Sequence, residues 1–193
     1  MIAQTVTRLG AITTSQVTKA FFKGPSAQRM AQARLLALYR ARRLDRRAQH
    51  GRDNVWVPWR SRSGDLQHRL AIAQAWLDTG MPSDFEREYA IGPVRADALF
   101  WIGRVPMFLE VERSHNAIAR KMEGYMALWR ERKAWRDRFG EEFPHILIVV
   151  PSEVYVERAL ALPSPPKTVC TPSGVARAVS SAFTVAKSSG GAP

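Results

Sequence analysis

The stretch VRADALFWIGRVPMFLEVE, residues 94–112, decides the fold class of this chain. Two runs rich in aromatic and β-branched residues lie on either side of Gly103-Arg104, a pattern typical of two strands joined by a tight turn. A third run of the same character precedes them and ends before Gly92-Pro93. The sequence therefore predicts a meander with strands at 85–91, 94–102 and 105–112.

Helical patterns and one buried strand flank this meander. Residues 66–79 and 115–139 repeat apolar side chains at helical spacing. The continuous apolar run ILIVV at 146–150 is typical of a strand buried on both faces, and Ser152 is placed to cap a following helix. The order α, β, β, β, α, β, α predicts an α/β (α+β) sandwich with a mixed sheet over residues 65–170.

The first 64 residues have another pattern, in which short helices precede a β-hairpin. Thr13 or Thr14 is placed to cap a second helix, Gly24-Pro25 ends it, and Ser26 is placed to cap a third helix. The residues available to pack this third helix are Met30, Ala33, Leu35, Ala37 and Leu38. The run NVWVPW at 54–59 reads as the second strand of a hairpin. This order predicts a winged helix-turn-helix domain over residues 1–64.

Most of the positive charge lies in this N-terminal part. Residues 1–70 contain 14 Lys or Arg and 3 Asp, a net charge of +11 out of +12 for the chain. A field of that sign attracts a polyanion, and nucleic acid gains affinity from counterion release. A solvated basic face or an anionic membrane surface is the alternative, although no long amphipathic helix with bulky apolar residues accompanies the charges. Double-stranded DNA is therefore the expected partner.

The winged-helix prediction assigns roles to residues of the third helix and the hairpin. In such a domain the third helix enters the major groove, and the hairpin loop contacts phosphate groups. The residues predicted to contact DNA from the start of the third helix are Ser26, Gln28, Arg29 and Gln32. Those predicted to contact phosphate are Arg46, Arg47 and Arg52. A basic helix is often only a solvated face, and some winged helices bind proteins, so both alternatives stay open.

Composition disfavours several other classes of protein. The longest apolar stretches are far shorter than the roughly 20 residues that cross a bilayer, and no secretory leader is recognisable, so we expect a cytoplasmic protein without membrane contact. Cys170 is the only cysteine, and the four histidines lack the spacing of a zinc site. Residues 171–193 belong to a Pro-, Ser- and Gly-rich segment that we expect to be a flexible tail.

Acidic residues interrupt the apolar strands of the meander. Asp97 falls on the second predicted strand, Glu110 and Glu112 share one face of the third, and Glu86 or Glu88 lies on the first. Burying several carboxylates together is costly unless a cation or basic side chains compensate them. The group is therefore either a site for a hard metal ion or a salt-bridged network. The basic residues placed to pair with it are Arg95, Arg113 and Lys121.

These motifs resemble a known fold and a known family. RADA at 95–98, FLEVERS at 108–114 and a following helix with Lys121 and Tyr125 resemble the PD-(D/E)XK nuclease-like fold. With the N-terminal winged helix, and with ITTSQ at 12–16 and HRLAIA at 68–73, the chain more particularly resembles the replication-relaxation family of plasmid and phage proteins. The resemblance covers about residues 5–150. It implies a part in plasmid replication or in relaxation of plasmid DNA.

The resemblance also implies a site. Active nucleases of this fold hold Mg²⁺ with an aspartate and a glutamate, whose positions Asp97 and Glu110 match, and they use a lysine to orient water. Glu112 stands at the lysine position, where a carboxylate repels the phosphodiester, and Lys121 is a candidate replacement from the next helix. The candidate catalytic residues are Asp97, Glu110, Glu112 and Lys121. The candidate Mg²⁺ ligands are Asp97, Glu110 and Glu86.

Two functions from different classes follow. The preferred one is a DNA-binding replication or relaxation accessory factor, or a transcriptional regulator, of a plasmid, phage or mobile element. It has no cofactor, and its degenerate nuclease-like domain forms a homodimer or recruits replication or conjugation proteins. The alternative is a Mg²⁺-dependent DNA endonuclease or nickase. Glu112 favours the first function, and the grouped carboxylates favour the second.

Overall fold

The computed structural model describes residues 1–47, 53–61, 64–112 and 115–181. The chain divides into two compact units, namely unit 1, Met1–Leu77, and unit 2, which begins at Asp78. None of the helices in the described ranges is long and apolar enough to cross a membrane.

Unit 1 places helices around a small sheet. Its elements in chain order are α1 (Ile2–Leu9), β1 (Ile12–Thr13), α2 (Thr14–Phe21), α3 (Ala27–Arg40), β2 (Leu44–Arg47), β3 (Val55–Pro58) and α4 (Leu66–Asp78). The strand order is β1-β3-β2, and both strand pairs are antiparallel. The helices and the hairpin follow the predicted order, while the identification of this unit as a winged helix stays a prediction.

Capping residues fix the start of α2 and join it to the sheet. Thr13 Oγ1 accepts a hydrogen bond from the Gln16 amide at 3.1 Å, and Gln16 Oε1 accepts one from the Thr13 amide at 2.9 Å. This reciprocal pair is a capping box, so Thr13 is the cap that the sequence offered as one of two. Trp56 Nε1 of β3 donates to Thr14 Oγ1 at 2.9 Å and ties the strand to the helix.

Helix α3 exposes most of its surface. Its buried residues, four apart and therefore on one stripe, are Ala27, Ala31 and Leu35. The prediction that Met30, Ala33 and Ala37 pack against the core was wrong, because all three are exposed, Met30 by 44%. In a helix rich in alanine, apolar periodicity fits more than one stripe, and only tertiary contacts select among them.

The division between the units falls after Leu77, later than the boundary predicted after Gly64. Leu66 and Leu70 of α4 pack against a buried cluster that includes Val55 of β3. Helical periodicity predicts that α4 has an apolar side, but it does not say which neighbour covers that side.

Unit 2 is built on a five-stranded sheet. Its elements in chain order are β4 (Phe85–Arg87), β5 (Ala90–Ile91), β6 (Val94–Arg95), β7 (Ala98–Ile102), β8 (Val105–Val111), α5 (His115–Arg130), α6 (Arg132–Phe139), β9 (His145–Val149), α7 (Glu153–Leu160) and β10 (Lys167–Cys170). The strand order is β10-β9-β8-β7-β4. The pairs β10-β9 and β9-β8 are parallel, and the pairs β8-β7 and β7-β4 are antiparallel. The predicted α/β fold with a mixed sheet is confirmed.

The middle of this sheet is buried and supports α5. Ile146 and Ile148 of β9 are completely buried, as expected for a strand covered on both faces. Phe108 of β8 lies 5.3 Å from the Tyr125 ring of α5 and 5.8 Å from the Phe139 ring of α6, measured between ring centroids. These contacts place one face of α5 directly over β8.

Three elements predicted as continuous are divided, and the first is the strand over 85–91, which is split into β4 and β5. In the segment 94–102, β6 forms a separate hairpin with β5, β7 joins the main sheet, and Asp97 lies at the bend between them. The helix predicted over 115–139 is interrupted at Glu131, whose backbone leaves the helical region (φ −88°, ψ 69°). These interruptions do not break the apolar pattern, so the sequence alone did not reveal them.

Residues 163–181 contain structure that the sequence analysis did not predict. Strand β10 extends the sheet beside β9, and a 3₁₀ helix (Pro172–Gly174) and a helix over 175–181 follow. Val175 is buried, so the first part of the predicted tail is folded. The remainder of that tail, 182–193, lies outside the described residues.

Candidate active site and nucleic-acid interface

Three carboxylates converge at one end of the β7-β8 pair. The antiparallel register pairs Ala98 with Leu109, which places Asp97 opposite Glu110, one position further along. Glu112 lies two residues beyond Glu110 and therefore on the same face. One oxygen from each of the three carboxylates lies within 4.8 Å of the other two. The Val111 amide donates to Asp97 Oδ2 at 2.7 Å and holds that side chain against β8.

Helix α5 supplies two further polar groups to these carboxylates. Lys121 and Tyr125 are four residues apart, so both project from the face that packs on β8. Lys121 Nζ contacts Glu110 Oε2 and lies 2.5 Å from Glu112 Oε1 and 3.4 Å from Asp97 Oδ1. The Tyr125 hydroxyl donates to Glu110 Oε1 at 2.6 Å. We call these five residues the carboxylate–lysine centre.

Burial governs the electrostatics of this centre. The Glu110 side chain is only 1% exposed, and burial raises the pKa of its carboxyl to about 7, against the opposing effect of the Lys121 charge. Burial disfavours the charged form of Lys121, but the attraction of Glu110 and Asp97 outweighs burial and raises the pKa of this lysine. Burial, followed by the charge of Glu110, also raises the pKa of Tyr125. Lys121 is therefore the internal cation of the centre.

The donor set suits a hard divalent cation. Carboxylate oxygens are the ligands that Mg²⁺ and Mn²⁺ prefer, and Asp97, Glu110 and Glu112 offer three of them within reach of one ion. The Lys121 ammonium contacts the same three carboxylates, so it shares the space that such an ion requires. The residues fit the metal that the resemblance implies, with Glu112 as a ligand that the sequence analysis had not included.

The structure does not bring Glu86 to this centre. Glu86 lies on β4, its side chain is 62% exposed, and its carboxylate is 3.7 Å from Arg138. Glu88 pairs instead with Arg95 at 3.0 Å, so Arg95 is likewise occupied elsewhere. Arg113 lies outside the described residues. The predicted residues that do meet are Asp97, Glu110, Glu112 and Lys121.

Tyr125 is the member that the sequence analysis did not select as a site residue. Tyr125 entered the sequence analysis as part of the resemblance, and its ring packs against Phe108. The signal that could have found it is its spacing of four from Lys121, because two polar groups at that distance share one helix face.

The predicted DNA-contacting side chains lie on an exposed surface of unit 1. Gln28, Arg29 and Gln32 of α3 are exposed, and none of them makes a hydrogen bond or ion pair with another residue in the described ranges. Ser26 occupies the N-cap position, but its side chain makes no capping hydrogen bond, contrary to prediction. The hydroxyl of Ser26 is exposed.

The hairpin continues this surface. Arg46 and Arg47 of β2 are exposed, and the Arg46 guanidinium lies 5.8 Å from the centroid of the Tyr39 ring at the end of α3. Arg52 lies outside the described residues. The structure thus places the described members of both predicted groups, from α3 and from β2, on exposed positions of unit 1.

Comparisons with known proteins do not assign the chain to a family. No family model, no curated protein and no solved structure matches the chain. The resemblance to the replication-relaxation family therefore rests on the motifs quoted above and stays a prediction, and the function has to be argued from the residues of the two sites.

Proposed function

We propose that this chain is a double-stranded DNA-binding protein whose unit 1 acts as a winged-helix module. The observation that supports this most directly is the concentration of exposed arginines on α3, β2 and the turn between them. The seven exposed arginines are Arg29, Arg34, Arg40, Arg42, Arg43, Arg46 and Arg47. Asp45 is the only acidic residue in the same segment.

The chemistry of this surface fits a duplex. Helix α3 has 14 residues, and an α-helix with its side chains is about 10–12 Å in diameter, which matches a major groove about 12 Å wide. Gln28, Arg29 and Gln32 carry the donors and acceptors that base edges present, while Arg46 and Arg47 carry the charge that phosphate groups attract. A role in plasmid replication, relaxation or transcriptional regulation follows from the resemblance alone and is part of this proposal.

Fluorescence anisotropy of labelled duplex DNA with the full chain tests the proposal. The logarithm of the affinity should fall linearly with the logarithm of the salt concentration, with a slope of about −0.9 for each phosphate contacted. Arg46→Ala with Arg47→Ala should weaken binding to all sequences, and Arg29→Ala should act mainly on a preferred site. Arg158→Ala, at an exposed position of α7, is the matched control. Binding that is absent, or that does not change with salt, refutes the proposal.

A second function, metal-dependent cleavage of DNA, is favoured by the carboxylate–lysine centre. The sequence analysis preferred a degenerate domain because Glu112 replaces the lysine of the motif. In the centre, however, the Lys121 ammonium contacts Glu112 and supplies a positive charge from α5. Three converging carboxylates, one of them buried with a raised pKa, form a pattern that is common at functional sites.

Each residue of the centre has a defined part in this second function. Asp97, Glu110 and Glu112 would hold the cation, and a cation bound there lowers the pKa of water and neutralises charge that develops at phosphorus. Tyr125 keeps Glu110 oriented through the hydrogen bond to Oε1. Lys121 places an ammonium beside the carboxylates, where it can bind a phosphate oxygen.

A plasmid-nicking assay with Mg²⁺ or Mn²⁺ tests this second function. The wild-type chain should convert supercoiled plasmid to the open circular form, and Asp97→Ala or Glu110→Ala should abolish the conversion without reducing DNA binding. Glu157→Ala, at an exposed position of α7, is the matched control and should remain active. If the wild-type protein binds DNA but never nicks it, the nuclease proposal is refuted and the DNA-binding proposal is unaffected.

A further inference from the structure

We infer that Lys121 is a built-in counter-cation of the carboxylate–lysine centre, which a divalent cation must displace in order to bind. The inference rests on the second function proposed above, since it concerns the same carboxylates. It assigns to Lys121 a separate property, namely control of how tightly the centre binds metal.

The contacts of Lys121 carry the inference. Its Nζ reaches all three carboxylates, with 2.5 Å to Glu112 Oε1, 3.4 Å to Asp97 Oδ1 and a direct contact with Glu110 Oε2. One oxygen from each of these carboxylates lies within 4.8 Å of the other two. Two ligands of one Mg²⁺ ion, each about 2.1 Å from it, are at most about 4.2 Å apart, so these carboxylates need to close only slightly to share one small cation. The ammonium and a metal ion therefore compete for one set of oxygens.

The burial of the side chains shows which of them can give way. Lys121 is 28% exposed, whereas Glu110 is 1% and Glu112 is 12% exposed. The long flexible lysine can turn its ammonium to solvent, while the carboxylates stay in place. Tyr125 keeps its hydrogen bond to the other oxygen of Glu110, so Glu110 remains oriented when Lys121 leaves.

The charges explain why the need to displace Lys121 lowers the affinity for metal without preventing metal binding. Without Lys121 the three carboxylates would repel one another, and a divalent cation would relieve that repulsion fully. With Lys121 in place, part of the repulsion is already relieved. Metal binding then breaks the contacts between the ammonium and the carboxylates, which weakens the net affinity for the metal. A chain that lacks the ammonium should therefore bind metal more tightly, although it should be less stable when no metal is present.

Isothermal titration calorimetry of the full chain with Mn²⁺ measures this effect. Lys121→Met keeps the length of the side chain and removes its charge, and it should bind Mn²⁺ about tenfold more tightly than the wild type. Lys133→Met, at an exposed lysine of α6, is the matched control and should bind as the wild type does. Binding by Lys121→Met alone would also support the inference. Equal or weaker binding by Lys121→Met, or no binding by either protein, overturns it.

A second measurement uses the wild-type chain and so does not depend on the folding of a variant. Trace acetylation followed by mass spectrometry reports how accessible each lysine is. Saturating Mn²⁺ should increase the acetylation of Lys121 and leave that of Lys133 unchanged. Mn²⁺ binding with unchanged Lys121 acetylation overturns the inference.

The two measurements separate this inference from the nuclease proposal. Displacement of Lys121 by Mn²⁺ without plasmid nicking refutes the nuclease and supports the inference. Nicking with unchanged Lys121 acetylation refutes the inference and supports the nuclease.

Discussion

In unit 1 the arginines of α3 and β2 extend into solvent, whereas in unit 2 two carboxylates of β8 and Lys121 of α5 contact one another in a largely buried position. Arg29 is exposed and makes no ion pair with any other described residue, while Lys121 contacts three carboxylates. Both regions therefore contain charged side chains, but those of unit 1 are exposed and those of the centre are largely buried. The two sets contribute differently to the free energy of folding.

The difference indicates what each region can do. Exposed charges remain solvated in the folded state, so they add little to stability and are free to meet a polyanion. Buried charges lose their hydration and have to be compensated inside the protein, which makes their protonation states depend on one another. Unit 1 is thus suited to binding by long-range attraction, and unit 2 to chemistry at one fixed position.

The largest expected effect concerns the titration of Glu110. Burial raises its pKa to about 7 in the folded chain, against about 4.5 when unfolded, so the folded state binds the proton more tightly. The stabilising effect of this proton is therefore complete below pH 4.5 and is lost as the pH rises to about 7, with a total on the order of 3 kcal/mol. Glu110→Gln should remove that part of the pH dependence.

Urea denaturation between pH 5 and pH 8, in the presence of EDTA, measures the difference between the wild type and Glu110→Gln. The comparison of the two proteins cancels the contributions of the other titrating groups. Glu157→Gln, at an exposed glutamate of α7, should follow the wild type throughout. Parallel stability curves for the wild type and Glu110→Gln would contradict the buried, raised-pKa description of Glu110.

An intermediate effect is expected for Tyr125→Phe. The change removes the hydroxyl that donates to Glu110 Oε1 at 2.6 Å and leaves a buried carboxylate oxygen without that donor. The expected loss is about 1–3 kcal/mol in the free energy of unfolding, the usual cost of an unsatisfied buried acceptor. Slower-exchanging amides of β8 and α5 should lose protection in hydrogen-exchange mass spectrometry, whereas Tyr155→Phe on α7 should leave them unchanged. Equal protection in both variants would show that the hydroxyl contributes nothing.

Sequence patterns predicted β8, β9 and the helix that carries Lys121, although they did not predict the bend at Asp97. The continuous apolar run of β9 and the run rich in aromatic and β-branched residues that ends at Glu112 predicted strands that the structure contains, because such side chains favour buried strands. The choice of Asp97, Glu110 and Glu112 followed from their unusual positions among apolar residues, whereas Lys121 was offered as a basic partner of these carboxylates and by the resemblance. Their convergence depends on the β7-β8 register and on the packing of α5.

Tertiary contacts decided the features that the sequence analysis missed. Glu86 shares the alternation of its neighbours, but β4 pairs with the far side of β7 and its carboxylate lies near Arg138. Strand β10 is only four residues long and lies in a proline-rich segment, so its pairing with β9 leaves no clear pattern. Helix α3 has several alanine stripes, and the one that packs is set by the rest of unit 1 rather than by α3 itself.

The smallest expected effect is the change in the free energy of unfolding when an exposed arginine of α3 or β2 is removed. It tests the statement that these arginines add little to stability. Arg29→Ala should change the free energy of unfolding by no more than about 0.5 kcal/mol, because an exposed side chain without a partner among the described residues loses little on truncation. Arg46→Ala should cost slightly more, about 0.5–1 kcal/mol, since its guanidinium lies 5.8 Å from the Tyr39 ring. Urea denaturation of both variants beside the wild type measures these values, and duplex binding by the same samples should fall although both proteins remain folded. A loss of stability above about 2 kcal/mol for Arg29→Ala would show that this arginine contributes as much to stability as the buried charges do. The distinction between the two sets of charges would then be wrong.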